Sequence, residues 1–314
     1  MSTYCPPRYL RVSLLSACNL YCSYCRPRGQ GAPALVSPVD RLCGAIDFLH
    51  RFGIKKVRFT GGEPTLYKDL VAVVTRVKAM DSNVHTAITT NGVLLKNLSP
   101  ALGAAGLDST NISLDTLDAV KFHSITGLNQ LDRVIAGIDA AVRHIGRVKL
   151  NCVLVRGSNH EEASDLIRFA NVRGVDIRFI EYMPNRFAAP GDPRFISGDE
   201  VRRRLPWNLS PVPGKPIGAA RYYAAPDLRV RVGFISPISH PFCDRCDRLR
   251  LAADGMLYSC LFDSRAINLF DMLGNSPGEA ESALRKLVGL KRFDGCSGAT
   301  DIPAGLPSFS RLGG

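Results

Sequence analysis

The sequence predicts an α/β protein: a partial (β/α)6 barrel of the TIM type, followed by a C-terminal module. Between residues 9 and 183 the 314-residue chain alternates short β-branched runs with longer amphipathic stretches, which is typical of βα units on a parallel sheet. Six such units are too few for the eight strands of a closed barrel. Beyond residue 183 the pattern breaks into a stretch rich in Pro, Gly and Arg, which divides the chain into 1–183 and 184–314.

The elements follow from the spacing of apolar residues. Strands are predicted at residues 9–15, 56–60, 84–90, 109–114, 148–155 and 175–182, and helices at 38–51, 69–80, 130–145 and 161–173. In the C-terminal module we expect strands at 229–235 and 249–252 and a helix at 279–288. The tail 309–314 is too rich in glycine to hold a structure of its own.

The composition excludes several classes of protein. With 46% hydrophobic and 22% charged residues, the chain is neither collagen-like, coiled-coil nor largely disordered. No stretch approaches the roughly 18 apolar residues of a membrane helix, so we expect a cytoplasmic protein. A net charge of +12 favours a polyanionic partner, either nucleic acid or the phosphates of a nucleotide.

A CxxxCxxC motif follows the first predicted strand, at Cys18, Cys22 and Cys25. Three thiolates on one loop can hold three corners of an iron-sulfur cluster and leave one iron open, whereas structural zinc needs four ligands. An open iron can be chelated by the amino and carboxylate groups of S-adenosylmethionine. This spacing resembles the signature of the radical SAM family. The alternative is a zinc site with a distant fourth ligand.

Polar residues follow the next three strands at the same edge of the predicted sheet. Gly61 and Gly62 would allow backbone groups to approach a ligand's ammonium group closely, while Glu63 would supply negative charge. In radical SAM proteins the matching segment binds the methionine part of the cofactor. The family's other cofactor-binding positions correspond to Tyr24, to Thr89 and Asn91 after the third strand, and to Ser113 and Asp115 after the fourth.

A second set of three cysteines, Cys243, Cys246 and Cys260, has no convincing fourth ligand nearby. It predicts a second cluster with an open iron, although a CxxC pair with a later cysteine is also a common zinc frame. Arg248 and Arg250 alternate along a predicted strand, so their side chains point the same way beside this cluster.

Nearly the whole chain resembles the GTP 3′,8-cyclase family, also called molybdenum cofactor biosynthesis protein A. The most specific segments are the block HPFCDRCDRLRL and the terminal pair Gly313-Gly314. The other matching segments are LRVS, CNLYCSYC, VRFTGGEP, TTNG, NISLDTL, ITG, RFIEYMP and FISP.

The resemblance implies a radical SAM fold with two 4Fe-4S clusters that face each other across the barrel mouth, and S-adenosylmethionine as cofactor. It implies substrate-binding roles for Arg11, Lys56, Arg58, Lys149, Asn151, Arg178, Arg248 and Arg250, with Arg11, Arg248 and Arg250 also catalytic. Several basic residues that point into one cavity need an anion to offset their repulsion, and a triphosphate supplies it.

The implied reaction is the radical cyclisation of GTP, the first step of molybdenum cofactor biosynthesis. The implied partners are GTP, an external electron donor of the flavodoxin or ferredoxin type, and a downstream cyclic pyranopterin monophosphate synthase. A homodimer is compatible with the family; a membrane or nucleic-acid partner is not expected. In the family the Gly-Gly tail enters the barrel near the position of Arg11.

The chain departs from the family pattern at Ser16-Ala17, at Arg26-Pro27 and at residues 307–312. These departures concern the loop of the first cluster and the docking of the tail. They leave open a radical SAM paralogue that acts on another nucleotide. A second alternative, from a different class, is a basic zinc-binding module for RNA.

Overall fold

A computed structural model describes residues 6–25, 35–183, 191–214, 218–291 and 312. Within these ranges the chain forms a sheet of twelve strands. The strands are β1 Tyr9–Ser13, β2 Lys56–Thr60, β3 His85–Thr90, β4 Ser109–Ser113, β5 Val148–Leu154, β6 Asp176–Glu181, β7 Ser210–Pro211, β8 Arg221–Ala224, β9 Val232–Ile235, β10 Arg248–Leu251, β11 Met256–Tyr258 and β12 Ala266–Asn268.

Helices connect most of the parallel strands and cover one face of the sheet. In the helix from Leu131 to His144, buried Leu131, Val134, Ile138 and Ala141 recur at spacings of three and four, so they form one apolar stripe. The α-helices are α1 Val39–Arg51, α2 Leu70–Met80, α3 Leu95–Ala104, α4 Ala119–Thr126, α5 Leu131–His144, α6 Ala163–Arg173, α7 Gly198–Arg203, α8 Leu269–Asn275 and α9 Pro277–Gly289.

The strand order is β12-β11-β10-β1-β2-β3-β4-β5-β6-β9-β8-β7. Strands β1 to β6 run parallel to one another, and β10 and β9 extend the parallel sheet from its two edges. Antiparallel strands complete both ends of the sheet. The predicted α/β class with a parallel sheet is therefore confirmed. Residues on both sides of position 183 contribute to this sheet, and the division into two units stays a prediction.

The two faces of the sheet differ in chemistry. On β1 and β2 the residues of one face, Leu10, Val12, Val57 and Phe59, are fully buried in the apolar core beneath the helices. The alternating residues point to the other face, because successive side chains of a strand alternate. That inner face carries the basic and polar residues described below.

The six strands of the first unit and its four predicted helices are found within a few residues of their predicted ends. The strand predicted at 229–235 begins only at Val232. The strand predicted at 249–252 corresponds to β10, and the helix predicted at 279–288 corresponds to α9. Helices α3, α4, α7 and α8 and strands β7, β8, β11 and β12 were not predicted. Of the predicted tail, Leu312 alone lies within the described residues.

None of the described helices combines the length and the apolar character needed to cross a membrane.

Candidate functional site

The loop of the first cysteine motif follows β1 and is held by the end of α4. The backbone N–H groups of Tyr21 and Ser23 donate to the carbonyl oxygens of Thr126 and Ile125, each at 2.9 Å. Helix α4 ends at Thr126 and is capped by Gly127, whose φ of +76° lies in the left-handed region that favours glycine. The ITG segment of the sequence thus anchors the cysteine loop.

Gly61 and Gly62 allow a second loop to pack directly against the chain that leads to Cys18. A Cβ atom on Gly62 would lie 2.1 Å from the carbonyl oxygen of Ala17, and one on Gly61 would lie 2.4 Å from that of Leu15. Two backbone hydrogen bonds join the same segments, from Gly62 N to Leu15 O and from Glu63 N to Ala17 O, both 2.8 Å. The glycines therefore serve a contact between two loops; their approach to a ligand stays a prediction.

Glu63 is 1% exposed, and its carboxylate accepts hydrogen bonds from neighbouring loops. Oε1 accepts from Thr65 N at 3.0 Å and from the hydroxyl of Thr90 at 2.6 Å, and Oε2 accepts from Asn91 N at 2.7 Å. Burial raises the pKa of Glu63, while these hydrogen bonds oppose the rise. The carboxylate thus joins the ends of β2 and β3 and fixes Asn91.

A cavity opens where the C-terminal ends of the central strands meet this loop. Asn91 lies in its wall and donates through Nδ2 to Asn19 Oδ1 at 2.7 Å, which links β3 to the cysteine loop. The cavity brings together all the cofactor-binding residues predicted from the sequence, together with the first cysteine set. These predicted residues are Cys18, Cys22, Tyr24, Cys25, Gly62, Glu63, Thr89, Asn91, Ser113 and the predicted substrate ligand Asn151.

Asp115 follows β4 at the edge of the sheet where the sequence predicts cofactor-binding residues. Its Oδ2 accepts a hydrogen bond from the Tyr24 hydroxyl at 2.5 Å, and Oδ1 accepts from Val153 N at 2.8 Å. Burial raises the pKa of Asp115 to about 6, although both hydrogen bonds oppose the rise. The residue therefore ties the cysteine loop to the ends of β4 and β5, and Tyr24 is held between Cys22 and Cys25.

The second cysteine set lies at the opposite end of the sheet from the first. Strand β10 runs parallel to β1. Cys246 precedes β10, whereas Cys18 follows β1, and Cys260 follows the antiparallel β11 back to the same end as Cys246. The prediction that both clusters face each other across one barrel mouth is therefore wrong. A five-residue strand, roughly 15 Å long, separates the two ends.

Between the two ends, arginines form a row across three adjacent strands. Backbone pairing places Arg11 on β1 beside Arg250 on β10 and Arg58 on β2. Burial, together with the charge of Arg11, lowers the pKa of Arg250 to about 9. Burial also lowers the pKa of Arg11 to about 10, and repulsion from Arg58 adds to that shift. The row concentrates positive charge on the inner face.

The remaining predicted cations share this face. Nearer the N-terminal ends of the strands, Tyr9 on β1 lies between Arg248 on β10 and Lys56 on β2. Further along the sheet, Arg178 on β6 pairs with Asn151 on β5. Among the described residues, these five predicted ligands make no ion pair with a carboxylate: Lys56, Arg58, Lys149, Arg178 and Arg248.

Hydrogen bonds from the protein fix several of these cations in place. Arg58 donates through Nη1 to the carbonyl oxygen of Ile88 at 2.7 Å and through Nε to the Tyr9 hydroxyl. Arg178 Nε donates to Asn151 Oδ1 at 2.9 Å, while its Nη2 is buried with no hydrogen-bond partner among the described residues. An orphaned guanidinium nitrogen on this face fits an anionic ligand.

Lys149 faces the same space from β5. Its Nζ lies 3.3 Å from the Tyr222 hydroxyl. Burial, together with the charge of Arg178, lowers the pKa of Lys149 to about 7. A nearby anion would restore its full positive charge.

The C-terminal tail reaches the arginine row at Leu312. The Leu312 side chain is fully buried with Ala252 and Tyr258, and its carbonyl oxygen accepts from Arg250 Nη1 at 3.3 Å. Gly313 and Gly314, predicted to lie near Arg11, are outside the described residues. Arg250 is the neighbour of Arg11 in the row.

Glu181 is an acidic residue that the sequence analysis did not single out. It is 1% exposed and ends β6. Its carboxylate accepts from Gly198 N at 3.0 Å, from Ser239 N at 3.0 Å and from the Ser239 hydroxyl. The loop that leads to His240 and Cys243 is thereby tied to the cavity wall.

The two cysteine sets fit clusters of several irons. No disulfide joins the described cysteines, and all six predicted ligands are partly exposed. In the described ranges, no three His, Cys, Asp or Glu side chains are gathered tightly enough to hold a single metal ion. Each set supplies three thiolates, which matches three corners of an iron-sulfur cluster, whereas structural zinc takes four ligands.

Two family models match the chain. The model described as the Radical SAM superfamily covers residues 12–170, and the model described as Molybdenum Cofactor Synthesis C covers residues 175–293.

Curated relatives match over most of the chain. The protein named GTP 3′,8-cyclase from Ectopseudomonas mendocina is 38% identical over 89% of this chain and 87% of its own length. The one from Thermodesulfovibrio yellowstonii is 36% identical over 98% of this chain and 97% of its own. Molybdenum cofactor biosynthesis protein 1 of Drosophila melanogaster is 40% identical over 90% of this chain, which spans about half (51%) of that longer protein.

Among solved structures, Streptococcus suis SuiB bound to S-adenosylmethionine has a similar fold. Its TM-score is 0.61 at 17% identity, over 89% of this chain and 68% of SuiB. At that identity the likeness concerns the fold.

The loop contact at Gly62 yields a test. Gly62→Ala should reduce the free energy of unfolding by about 1–3 kcal/mol and lower the iron bound after reconstitution, because the new Cβ meets the backbone at Ala17. Gly44→Ala is the matched control, since a Cβ there meets nothing within 4 Å on helix α1. Thermal unfolding and iron per chain are the measurements. A Gly62→Ala protein with parental iron content and melting temperature would contradict the role given to this contact.

Proposed function

Because the chain belongs to the radical SAM superfamily and, within it, to the GTP 3′,8-cyclase family, we propose that it converts GTP to (8S)-3′,8-cyclo-7,8-dihydroguanosine 5′-triphosphate, the first step of molybdenum cofactor biosynthesis. Its cofactors are two 4Fe-4S clusters and S-adenosylmethionine. The observation that carries the proposal is the cationic inner face, which lies between two three-cysteine sets at opposite ends of one parallel sheet.

The first cysteine set and the cavity beside it would hold one cluster and S-adenosylmethionine. Cys18, Cys22 and Cys25 supply three thiolates, and polar groups from the ends of β2, β3 and β4 line the adjoining space. When bound there, the cluster and S-adenosylmethionine supply one-electron radical chemistry that side chains cannot. The chain's own contribution is to fix the cysteine loop, through Glu63 and Asp115, against the ends of the strands.

The inner face would hold the triphosphate of GTP. Its guanidinium groups can make charge-assisted hydrogen bonds to phosphate oxygens, and hydrogen bonds from the protein already orient several of them. The ligands proposed for GTP are Arg11, Lys56, Arg58, Lys149, Asn151, Arg178, Arg248 and Arg250. Holding the ribose at a fixed distance from the first cysteine set lowers the entropic part of the barrier.

The second cysteine set would hold the other cluster at the N-terminal end of β10. Burial alone would raise the pKa of the Cys246 thiol. The charge and hydrogen bond of the neighbouring Arg248 outweigh burial and lower this pKa, which favours the thiolate. An iron there that lacks a protein ligand could accept a nitrogen of the guanine ring, which would place the base and the triphosphate at defined ends of the sheet.

Location and partners extend the proposed function. The cationic face accounts for part of the +12 charge without nucleic acid. A cytoplasmic location suits a protein whose six ligand thiols must stay reduced. The flavodoxin or ferredoxin donor, the downstream synthase, the homodimer and the Gly-Gly tail near Arg11 stay predictions.

Anaerobic turnover with a panel of nucleotides tests the function. Reconstituted full-length protein, S-adenosylmethionine and a reductant should cyclise GTP in preference to ATP, CTP and UTP. Preference for another nucleotide would favour the paralogue. A colourless protein that keeps tightly bound zinc after anaerobic purification, and does not turn over, would favour the RNA-binding zinc module.

The two cysteine sets should hold iron independently. Reconstituted protein should contain about eight irons per chain, four for each set. Replacing Cys18, Cys22 and Cys25 together by Ala should leave about half the iron and abolish cleavage of S-adenosylmethionine. The reciprocal Ala variant of Cys243, Cys246 and Cys260 should also keep about half the iron but retain that cleavage. Full iron content in the first variant would overturn the assignment.

Arg248 and Arg250 should act on the nucleotide, because an arginine binds phosphate but does not ligate iron. Each Ala variant should keep both clusters and bind GTP more weakly by about 1.5–3 kcal/mol. Arg51→Ala, which removes an exposed arginine paired with Asp47 on α1, is the matched control. Iron analysis and GTP binding are measured together. Collapse of the iron content, with normal GTP binding by the remaining holoprotein, would make the two roles structural.

A further inference from the structure

Tyr9 on β1 lies among cations on the inner face. Its hydroxyl accepts a hydrogen bond from Arg58 Nε at 2.7 Å, and Lys56 Nζ lies 5.3 Å from the centre of its ring. Backbone register puts Arg248 on the opposite side, on β10. The function proposed above assigns no part to this phenol.

Positive groups flank Tyr9 on both neighbouring strands, Lys56 and Arg58 on β2 and Arg248 on β10. Although burial alone would raise the pKa of Tyr9, these charges lower it to about 7. Two of the same cations, Lys56 and Arg248, also interact with Asp247. His85 on β3 is the backbone partner of Lys56; burial and the charge of Lys56 lower the pKa of His85 to about 4, so its imidazole is neutral near pH 7. The cations that act on Tyr9 are Arg11, Lys56, Arg58, Arg178 and Arg248.

We propose that Tyr9 is the counter-ion of the nucleotide-free cationic face, as a phenolate that is reprotonated when a triphosphate binds. In the free protein the O–H bond breaks and the proton goes to solvent. In the complex the phosphates neutralise the cations, so the phenolate takes one proton back from solvent. No electron is transferred. The inference rests on the proposed triphosphate site.

This role makes Tyr9 a positioning residue. As a phenolate it accepts a charge-assisted hydrogen bond from Arg58. Among the described residues Arg58, Lys56 and Arg248 form no ion pair with a carboxylate, so the phenolate offsets the repulsion between them. The row of arginines thus stays ordered before the substrate arrives. When the substrate binds, Tyr9 becomes neutral and no longer competes with the phosphates.

Binding of a triphosphate is then linked to proton uptake. Because the pKa of Tyr9 is lower in the free protein than in the complex, affinity falls as pH rises above about 7, by up to about tenfold per pH unit for this one proton. Lys149, whose pKa is also lowered to about 7, takes up a proton on anion binding as well. Total proton uptake therefore does not isolate Tyr9, but the ultraviolet absorbance of tyrosinate does.

The test uses reconstituted full-length protein and inorganic triphosphate, which has no guanine absorbance and needs no turnover. Without ligand, the tyrosinate band should appear with a midpoint near 7, and saturation with triphosphate about one pH unit higher should abolish it. Tyr9→Phe should lack both changes, and its triphosphate affinity should fall less steeply with pH. Tyr222→Phe is the matched control, because it removes another phenol of the same face, whose hydroxyl lies 3.3 Å from Lys149 Nζ. This variant should keep both changes.

The outcomes separate this inference from the proposed function. Triphosphate that binds without any loss of tyrosinate, or a ligand-free protein with no tyrosinate below pH about 9, overturns the role of Tyr9 alone. Failure of both triphosphate and GTP to bind overturns the phosphate site and this inference with it. Titration of the unsubstituted protein distinguishes these outcomes even if Tyr9→Phe does not fold.

Discussion

Repulsion among the guanidinium groups of Arg250, Arg11 and Arg58 constrains the whole inner face. These residues occupy neighbouring positions on three adjacent strands, and strands in a sheet are only about 4.8 Å apart. A closed TIM barrel fills its interior with layers of branched apolar side chains, which a row of arginines cannot join. The apolar core therefore lies on the helix-covered face. The other face remains a lining for an anionic ligand.

Three buried carboxylates give the site its shape. Glu63, Asp115 and Glu181 each lie at or just beyond the C-terminal end of a strand, and each binds donors from loops distant in sequence. Glu63 and Asp115 hold the surroundings of the first cysteine loop, whereas Glu181 holds the chain that leads to the second set. Acidic residues thus organise the two metal-binding loops, while basic residues face the space between them.

Local patterns were sufficient to place much of the fold. The run KVRFT predicted β2 to the residue, because β-branched and aromatic residues alternate there between turn signals. Helix α3 was missed because Pro100 lies in its interior, where proline is normally excluded. Strands β11 and β12 have three residues each, too few for an alternation to be visible.

Local sequence patterns predicted one part of the site, whereas the other part depends on contacts between residues that are distant in sequence. Both cysteine sets could be found from their spacing, and the cofactor cavity does gather the residues predicted for it. The cations were located through a family resemblance, since a single arginine in a strand looks like any surface charge. Asp115 lies in the matched segment NISLDTL, but the hydrogen bonds by which it and Glu181 join distant loops carried no local signal. The relative position of the cysteine sets depends on the pairing of β1 with β10, which no local pattern contains.

That same pairing has a consequence for how the chain acquires its structure. Strand β1 is made first, but its partner β10 lies roughly 240 residues later, so a very long loop must close before the two edges meet. During synthesis, the edge of β1 that pairs with β10 therefore has no partner strand until most of the chain has left the ribosome. Arg11 and Arg58 lie on strands made early, but Arg250 joins them only at this late step, so the row of three arginines is completed after the six parallel strands have been made.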